Sequence, residues 1–139
     1  MSTKKVLNSL YEYEDIPIAH GSFSLIYRGN RIRDKKEVAI KKITRIIHPK
    51  YLENEIELME TSDNPFILKI YDHFKEDEIT YLILEYCPGG TLADYISSKR
   101  KDKDYIYAIQ ILCGLEYLYT KNILHRDIKP QNILKRSDP

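Results

Sequence analysis

The sequence lacks a long apolar run, a charge excess of either sign and a large set of cysteines. Its longest apolar stretches are far too short to span a bilayer. Residues 1–8 carry two lysines with no apolar run behind them, which argues against a signal peptide. Lys and Arg number 22 against 21 Asp and Glu, so neither nucleic acid nor a membrane surface is a favoured partner. We therefore expect an intracellular protein, cytoplasmic or nuclear.

The few potential metal ligands are scattered. Cys87 and Cys113 have no second Cys or His at metal-ligand spacing, so we expect two free thiols, with a disulfide as the alternative. His20, His48 and His73 have no matching ligands nearby and are interpreted as surface or packing residues. Composition therefore predicts neither a zinc site nor a disulfide framework.

What is present fits one globular domain with mixed α+β structure. Of 139 residues, 42% are apolar and 31% charged. Residues 1–10 are expected to be a loose leader. Strands are predicted at 11–19, 24–30, 37–43, 66–74 and 80–85 because β-prone apolar residues there are bounded by turn residues.

Helices are predicted at three places. Pro49 suits the first turn of a helix, and apolar residues spaced by four and three residues mark one helical face over 51–61. Thr91 is a plausible N-cap for a short helix through Ser98. The segment 102–121 is apolar on most sides, which predicts a helix that is buried on most sides.

The strongest chemical signal is the run Leu124-His125-Arg126-Asp127-Ile128-Lys129-Pro130-Gln131-Asn132-Ile133-Leu134. In it, Asp127 supplies a carboxylate that can accept a hydroxyl proton. Asn132 supplies a carbonyl oxygen suited to Mg²⁺, and Lys129 a cation for developing phosphoryl charge. The alternative is a charged loop in which Asp127 caps a helix or forms an ion pair.

This run resembles the catalytic loop of the eukaryotic-type protein kinases, H-R-D-L-x-x-x-N, with Ile in the Leu position. Lys two residues after the Asp resembles the serine/threonine branch. The resemblance covers roughly residues 11–135. It implies an N-lobe over 11–86, with a five-stranded antiparallel sheet and one helix. The hinge, first C-lobe helices and catalytic loop would follow over 87–139, and His125 would pack beneath the active site.

The resemblance extends to the strand Val38-Ala39-Ile40-Lys41, which is similar to the V-A-I-K strand of the family. In the family this lysine holds the ATP phosphates and pairs with a glutamate on the following helix, for which Glu55 is the best match. By itself, a lysine at the end of a strand is usually only solvated.

The phosphate-covering loop departs from the family pattern G-x-G-x-x-G-x-V. Of its three glycines only Gly21 is retained, and Ala and Ser replace the outer two, so the loop should still close. On its own the segment reads as an ordinary hairpin. The resemblance assigns it as ATP-binding over Ala19, His20, Gly21, Ser22, Phe23, Ser24, Leu25 and Ile26.

The segment Tyr81–Gly90 is similar to the strand and hinge between kinase lobes. Leu84 would stand beside the adenine as the gatekeeper, and the backbones of Glu85 and Cys87 would hydrogen-bond its edge. The adenine faces would contact Ile18, Ile26, Ala39 and Leu134.

These 139 residues contain no D-F-G motif, whose aspartate is the principal Mg²⁺ ligand of the family. Asp138 is not followed by Phe and Gly and is no substitute. Three interpretations remain open: a protein serine/threonine kinase using ATP and Mg²⁺, a non-catalytic kinase-like binding module, or a truncated gene remnant. We expect this polypeptide alone to be inactive. Its partners would be a protein substrate or partner kinase chain, with self-association possible through an uncovered helix 102–121.

Overall fold

A computed structural model describes residues 3–46 and 48–137, so Asp138 and the first two leader residues lie outside it. Backbone contacts divide the described chain into two units. Unit 1 contains residues 3–46, 48–62 and 68–86, and unit 2 contains residues 63–67 and 87–137. The predicted fold class is confirmed, because unit 1 is an antiparallel sheet with one helix and unit 2 begins a helical region.

Unit 1 is built on an antiparallel sheet with the strand order β1-β2-β4-β5-β7-β6, in which the short strand β3 also pairs with β4. Both β2 and β3 lie against β4, so together they form one interrupted strand. The strands are β1 (Lys4–Leu7), β2 (Tyr11–Glu14), β3 (Ala19–His20), β4 (Ser24–Arg31), β5 (Glu37–Ile43), β6 (Ile70–Glu76) and β7 (Ile79–Glu85).

The expected loose leader is wrong for residues 4–7, which form the edge strand β1. This strand pairs antiparallel with β2, and Leu7 opposite Tyr11 is only 2% exposed. The pattern of two lysines and a single buried leucine gives no clear strand signal. The strand forms because its backbone completes the ladder of β2 and Leu7 fills a gap among buried tyrosines. With β2 and β3 counted as one interrupted strand, the sheet of the described residues has six strands, one more than the resemblance implied.

Side chains alternate between the two faces of this sheet, as the pleat requires. One face carries a tyrosine-rich cluster that includes Leu7, Tyr13, Tyr27, Ile40 and Ile83. The opposite face carries an aliphatic cluster with Ala39, Ile70, Leu82, Leu84 and Ile56. Ile56 belongs to helix α1 (Pro49–Thr61), so α1 packs on the aliphatic face.

Unit 2 contains helices α2 (Leu92–Ser97) and α3 (Asp104–Thr120), followed by a 3₁₀ turn at Pro130–Asn132. The predicted N-cap is confirmed, since the Thr91 hydroxyl accepts a hydrogen bond from Asp94 N and the Asp94 carboxylate accepts one from Thr91 N. Neither this unit nor the other described residues include a helix long and apolar enough to cross a membrane.

Helix α3 is not buried on most sides. Tyr107, Gly114 and Leu118 are buried, but Leu112 is 64% exposed and Tyr119 81% exposed. Other apolar side chains on and beyond α3 are also open to solvent: Tyr105, Ile106, Ile109, Leu124 and Ile128. The apolar sequence pattern therefore predicted the helix, and the exposed apolar side chains of α3 agree with the expectation of an uncovered helix 102–121.

Candidate functional site

The catalytic-loop motif forms a compact constellation within unit 2. The side-chain nitrogen of Asn132 donates to both the backbone oxygen and Oδ2 of Asp127, each at 2.9 Å. Lys129 Nζ lies 3.6 Å from the same Oδ2. The structure therefore brings together the three residues predicted to be catalytic. The Asp127 and Lys129 side chains are 64% and 51% exposed, so solvent screens their pairing.

The local backbone explains how this loop presents its side chains. Arg126 has φ 71°, a left-handed conformation that is uncommon outside glycine and is often found at functional sites. Next to it, the Asp127 N–H donates to Nδ1 of His125 at 3.2 Å. His125 is exposed, so the expectation that it packs beneath the site is wrong. Its ring instead orients the backbone of the aspartate.

The loop is anchored to the segment before α2 by main-chain hydrogen bonds. Gly89 N donates to Lys135 O at 2.9 Å, and Lys135 N donates to Gly90 O at 2.8 Å. A Cβ on Gly89 would lie 2.7 Å from Lys135 O, so only glycine permits this approach. Leu134, predicted to contact adenine, lies in this anchored segment opposite Thr91 and is 46% exposed.

The oxygen atoms around Asn132 supply part of what a Mg²⁺ site needs. Both hydrogen bonds of its amide use the nitrogen, and among the described residues its side-chain oxygen has no hydrogen-bond donor. Carbonyl and carboxylate oxygens are what Mg²⁺ prefers. Within the same residues, however, no group of three or more His, Cys, Asp or Glu side chains could hold a metal. Further oxygens from water or phosphate would have to complete the coordination shell.

Unit 1 holds the residues predicted to bind the ATP phosphates. Strand β3 pairs with β4 so that Ala19 faces Ile26 and His20 faces Leu25. The hairpin closes through a hydrogen bond of 2.8 Å from Gly21 N to Ser24 O, with Ser22 and exposed Phe23 at its tip. Its glycine has no positive φ, but an added Cβ would lie 2.7 Å from Ser24 Oγ. The predicted hairpin is therefore formed.

Register decides which of these side chains can act together. Ile26 lies opposite Lys41 on β5, and both occupy the aliphatic face with Ala39. Leu25 packs on the tyrosine-rich face instead, so its side chain is separated from Lys41 by the sheet. Ile18 donates its N–H to Ile26 O at 2.7 Å, while its side chain is 55% exposed.

The segment assigned as the hinge begins at the end of β7. Leu84, the predicted gatekeeper, is buried opposite Ala39 on the same sheet face. Glu85 N donates to Lys69 O at 2.8 Å, so this N–H already has a partner within unit 1. Cys87 is half-buried in unit 2. Cys87 and Cys113 are both thiols that form no disulfide within the described residues, as the sequence predicted.

One predicted contact is not formed. Lys41 and Glu55 make no ion pair within the described residues, and Glu55 is exposed on α1. The main neighbour of α1 in the sheet is β6, two strands away from Lys41 on β5. Glu55 therefore stays a predicted partner of Lys41 rather than an observed one.

Comparison with known proteins supports the resemblance to the protein kinases. The family model described as "Protein kinase domain" matches residues 13–139. Calcium-dependent protein kinase 5 of Plasmodium berghei is 38% identical over 133 residues, covering 92% of this chain and 24% of the relative. Serine/threonine-protein kinase ATG1a of Arabidopsis thaliana is 35% identical over 127 residues, covering 86% of this chain and 20% of the relative.

A solved structure also resembles this one. The crystal structure of Rad53 1-466 in complex with AMP-PNP superposes with a TM-score of 0.79 at 25% identity, covering 92% of this chain and 35% of that chain. This chain belongs to the protein kinase domain family. It spans about a quarter of the length of the curated relatives reported above, at 24% and 20%.

Proposed function

We propose that the protein is an ATP-dependent protein serine/threonine kinase in which residues 1–139 supply nucleotide-binding and proton-accepting groups. The observation that carries this proposal is the assembled loop of Asp127, Lys129 and Asn132, with contacts of 2.9 and 3.6 Å. The names of the similar serine/threonine kinases support it.

Each residue of the loop has a distinct role in this proposal. The Asp127 carboxylate accepts the proton of the substrate hydroxyl, while the Asn132 amide holds that carboxylate in place. Lys129 offers positive charge to the transferred phosphoryl oxygens. Bound Mg²⁺ would neutralise phosphate charge, with the Asn132 oxygen as one of its ligands.

ATP binding is assigned to the aliphatic face of unit 1. Lys41 would contact the phosphates, and Ile26 and Ala39 on the same face would contact the adenine. The resemblance to a structure solved with AMP-PNP supports nucleotide use. Lys41 is the single charged side chain in this group, so it should dominate phosphate affinity.

A matched pair of lysines tests nucleotide binding. Lys42 follows Lys41 on β5 but faces the tyrosine-rich side, opposite Leu25 and Tyr81. We expect Mg·ATP to raise the melting temperature of the wild type and Lys42→Ala but not of Lys41→Ala. Absence of a shift in folded wild type, or an equal shift in all three, would contradict the assignment.

Phosphoryl transfer is tested separately. Because D-F-G does not occur in these 139 residues, we propose that this polypeptide alone transfers negligible phosphate. Radiolabelled ATP should give no signal above an Asp127→Asn control. Robust Asp127-dependent transfer by the 139-residue polypeptide would refute that expectation while supporting the kinase assignment.

A second candidate is a non-catalytic interaction module, favoured by the exposed apolar side chains of α3. Leu115, Leu118, Tyr119, Leu124 and Ile128 line an open groove of about 450 Å³ within unit 2. A homodimer or a second kinase chain could cover this groove together with the other exposed apolar side chains of α3, Leu112 among them. Sedimentation would then give a defined complex that Leu112→Asp dissolves. Polydisperse aggregates would instead favour a gene remnant.

A further inference from the structure

The end of unit 1 that leads into the predicted hinge carries an arginine over a tyrosine ring. The guanidinium carbon of Arg28 lies 4.9 Å from the centre of the Tyr86 ring. Arg28 is on β4, whereas Tyr86 directly follows β7, so the contact joins segments that are distant in sequence. A guanidinium is attracted electrostatically to the face of an aromatic ring. The contact therefore gives Tyr86 a directional partner besides its apolar neighbours.

Glu37 and the aliphatic cluster hold the two partners in place. Arg28 Nη2 donates to Glu37 Oε1 at 2.8 Å, and Glu37 is the first residue of β5. Tyr86 is half-buried and packs against the aliphatic cluster. The side chains of Arg28 and Glu37 are 55% and 48% exposed, so solvent screens their attraction. These contacts from Glu37 to Tyr86 thus add little to stability, but they restrict where the Tyr86 ring can lie.

Strand register places this pair at the adenine end of the proposed nucleotide site. Arg28 lies opposite Ala39, and Ala39 lies opposite Leu84. Directly opposed residues in a sheet share a face, so Arg28 is on the aliphatic face. Lys41 and Glu37 lie two residues to either side of Ala39 on β5. The hydrogen bond to Glu37 therefore directs the Arg28 guanidinium away from the proposed phosphate lysine and towards the hinge.

The main chain next to Tyr86 can recognise the edge of the base. The Glu85 N–H donates to Lys69 O at 2.8 Å, so the main-chain group of Glu85 that can meet the base is its carbonyl oxygen. The N6 amino group of adenine donates hydrogen bonds, whereas O6 of guanine accepts them. A carbonyl oxygen held in position would therefore attract adenine and repel guanine, and a displaced one would discriminate less.

We propose that Arg28 is a positioning residue that sets the preference of the nucleotide site for adenine: by holding the Tyr86 ring, it fixes the carbonyl of the preceding residue, Glu85, against the edge of the base. The inference rests on the proposed ATP-binding function. Local sequence patterns do not predict this role, because both partners of Arg28 lie on other elements.

Affinities of the full chain for Mg·AMP-PNP and Mg·GMP-PNP, measured by isothermal titration calorimetry, test the inference. We expect Arg28→Ala to lower the preference for AMP-PNP over GMP-PNP about 2- to 5-fold, the range set by an exposed cation–π contact. A role in stability alone would weaken the binding of both nucleotides equally. Arg28→Lys, which keeps a cation for the ring, should recover most of the preference. In a Tyr86→Leu background, Arg28→Ala should cause no further loss.

The matched control is Arg31→Ala, which removes another arginine–carboxylate pair from the same strand. Arg31 Nη2 lies 2.6 Å from Asp34 Oδ2, and Arg31 lies opposite Tyr11, on the tyrosine-rich face. Its preference for AMP-PNP should match that of the wild type. Urea unfolding of each variant measures the folded fraction, and the exposed Arg28 side chain predicts that Arg28→Ala folds.

Three results would overturn the inference even where Lys41→Ala abolishes binding of both nucleotides: an unchanged preference in Arg28→Ala, an equal loss of affinity for both nucleotides, or losses that add to those of Tyr86→Leu. A wild-type chain that binds neither nucleotide would overturn the proposed function itself, and this inference with it.

Discussion

Asn132 clamps Asp127 by donating from one nitrogen to both the backbone oxygen and the carboxylate of that residue, at 2.9 Å each. The clamp spans five residues and encloses Lys129, so it fixes the shape of the whole loop. It also leaves the amide oxygen of Asn132 without a hydrogen-bond donor among the described residues. One side chain thus orients the proposed proton acceptor and keeps a candidate metal ligand available.

Replacing this clamp should loosen unit 2. Asn132→Asp removes both donated hydrogen bonds and places a second carboxylate beside Asp127. The loop is exposed, so we expect the free energy of unfolding to fall by only about 0.5–1.5 kcal/mol. Urea titration measures the change. Gln131→Ala is the control, because the Gln131 side chain is exposed and makes no hydrogen bond or ion pair within the described residues. Equal losses in both variants would mean that the clamp contributes nothing specific.

Strand β1 offers a second comparison of neighbouring residues. Leu7 is 2% exposed within the tyrosine-rich cluster, whereas Val6 is 63% exposed on the same strand. Leu7→Ala should lower the free energy of unfolding by about 2–3 kcal/mol because it leaves a cavity. Val6→Ala should change it by less than about 0.5 kcal/mol. If residues 4–7 were a loose leader, chemical denaturation would detect no difference between the two variants.

The tyrosine-rich cluster should make unit 1 sensitive to alkali. Burial raises the pKa of Tyr13 from 10.0 to about 12, and burial followed by a hydrogen bond to Asp72 raises that of Tyr11 to about 12. Because the pKa of Tyr13 is higher in the folded than in the unfolded state, the protonated hydroxyl contributes to the free energy of unfolding. That contribution is complete below pH 10.0 and is lost as the pH rises towards 12.

Melting temperatures between pH 8 and 11.5 should therefore fall more steeply in the wild type than in Tyr13→Phe, which cannot ionise. Tyr13 makes no hydrogen bond that this substitution would remove within the described residues. Tyr105→Phe, at a position 79% exposed, should follow the wild-type curve. Parallel curves for all three proteins would show that burial of the Tyr13 hydroxyl is not coupled to folding.

The N-terminal cap of α2 should lose stability in acid, whereas the tyrosine-rich cluster loses it in alkali. The Thr91 backbone N–H, and then its hydroxyl, hold the pKa of Asp94 below its ordinary value of 3.8. Because the pKa of Asp94 is lower in the folded than in the unfolded state, its carboxylate contributes to the free energy of unfolding above pH 3.8. That contribution is lost as the pH falls through the pKa of the folded state. Asp94→Asn should therefore melt below wild type at pH 7, and the two melting temperatures should converge as the pH falls below 3.8.

Asp77→Asn, which removes a negative charge from an exposed turn, serves as the control for that measurement. If the melting temperatures of Asp94→Asn and wild type differed by the same amount at every pH, the effect would come from helix propensity rather than from the charge of Asp94. The related variant Thr91→Ala should cost about 1 kcal/mol at neutral pH, because it removes the side-chain acceptor of the first helical turn.

Local patterns determined much of the molecule. Strand β5 spans Glu37–Ile43 as predicted, because a short run of β-prone apolar residues between charged turns suits few other structures. Thr91 caps α2 because a hydroxyl and a carboxylate three residues apart satisfy each other's backbone donors. The loop around Asp127 was identified by its motif, since its residues are contiguous and their spacing fixes their roles.

Only the tertiary structure decided how separate elements meet. Residues 4–7 became a strand because β2 offered an open edge, which no local pattern records. Glu55 was assigned to Lys41 by resemblance, yet α1 lies against β6, where Glu60 contacts His73 instead. Such contacts depend on packing between residues distant in sequence. Patterns with a period of two or about 3.6 residues can specify which face a side chain occupies, but not which partner that face will meet.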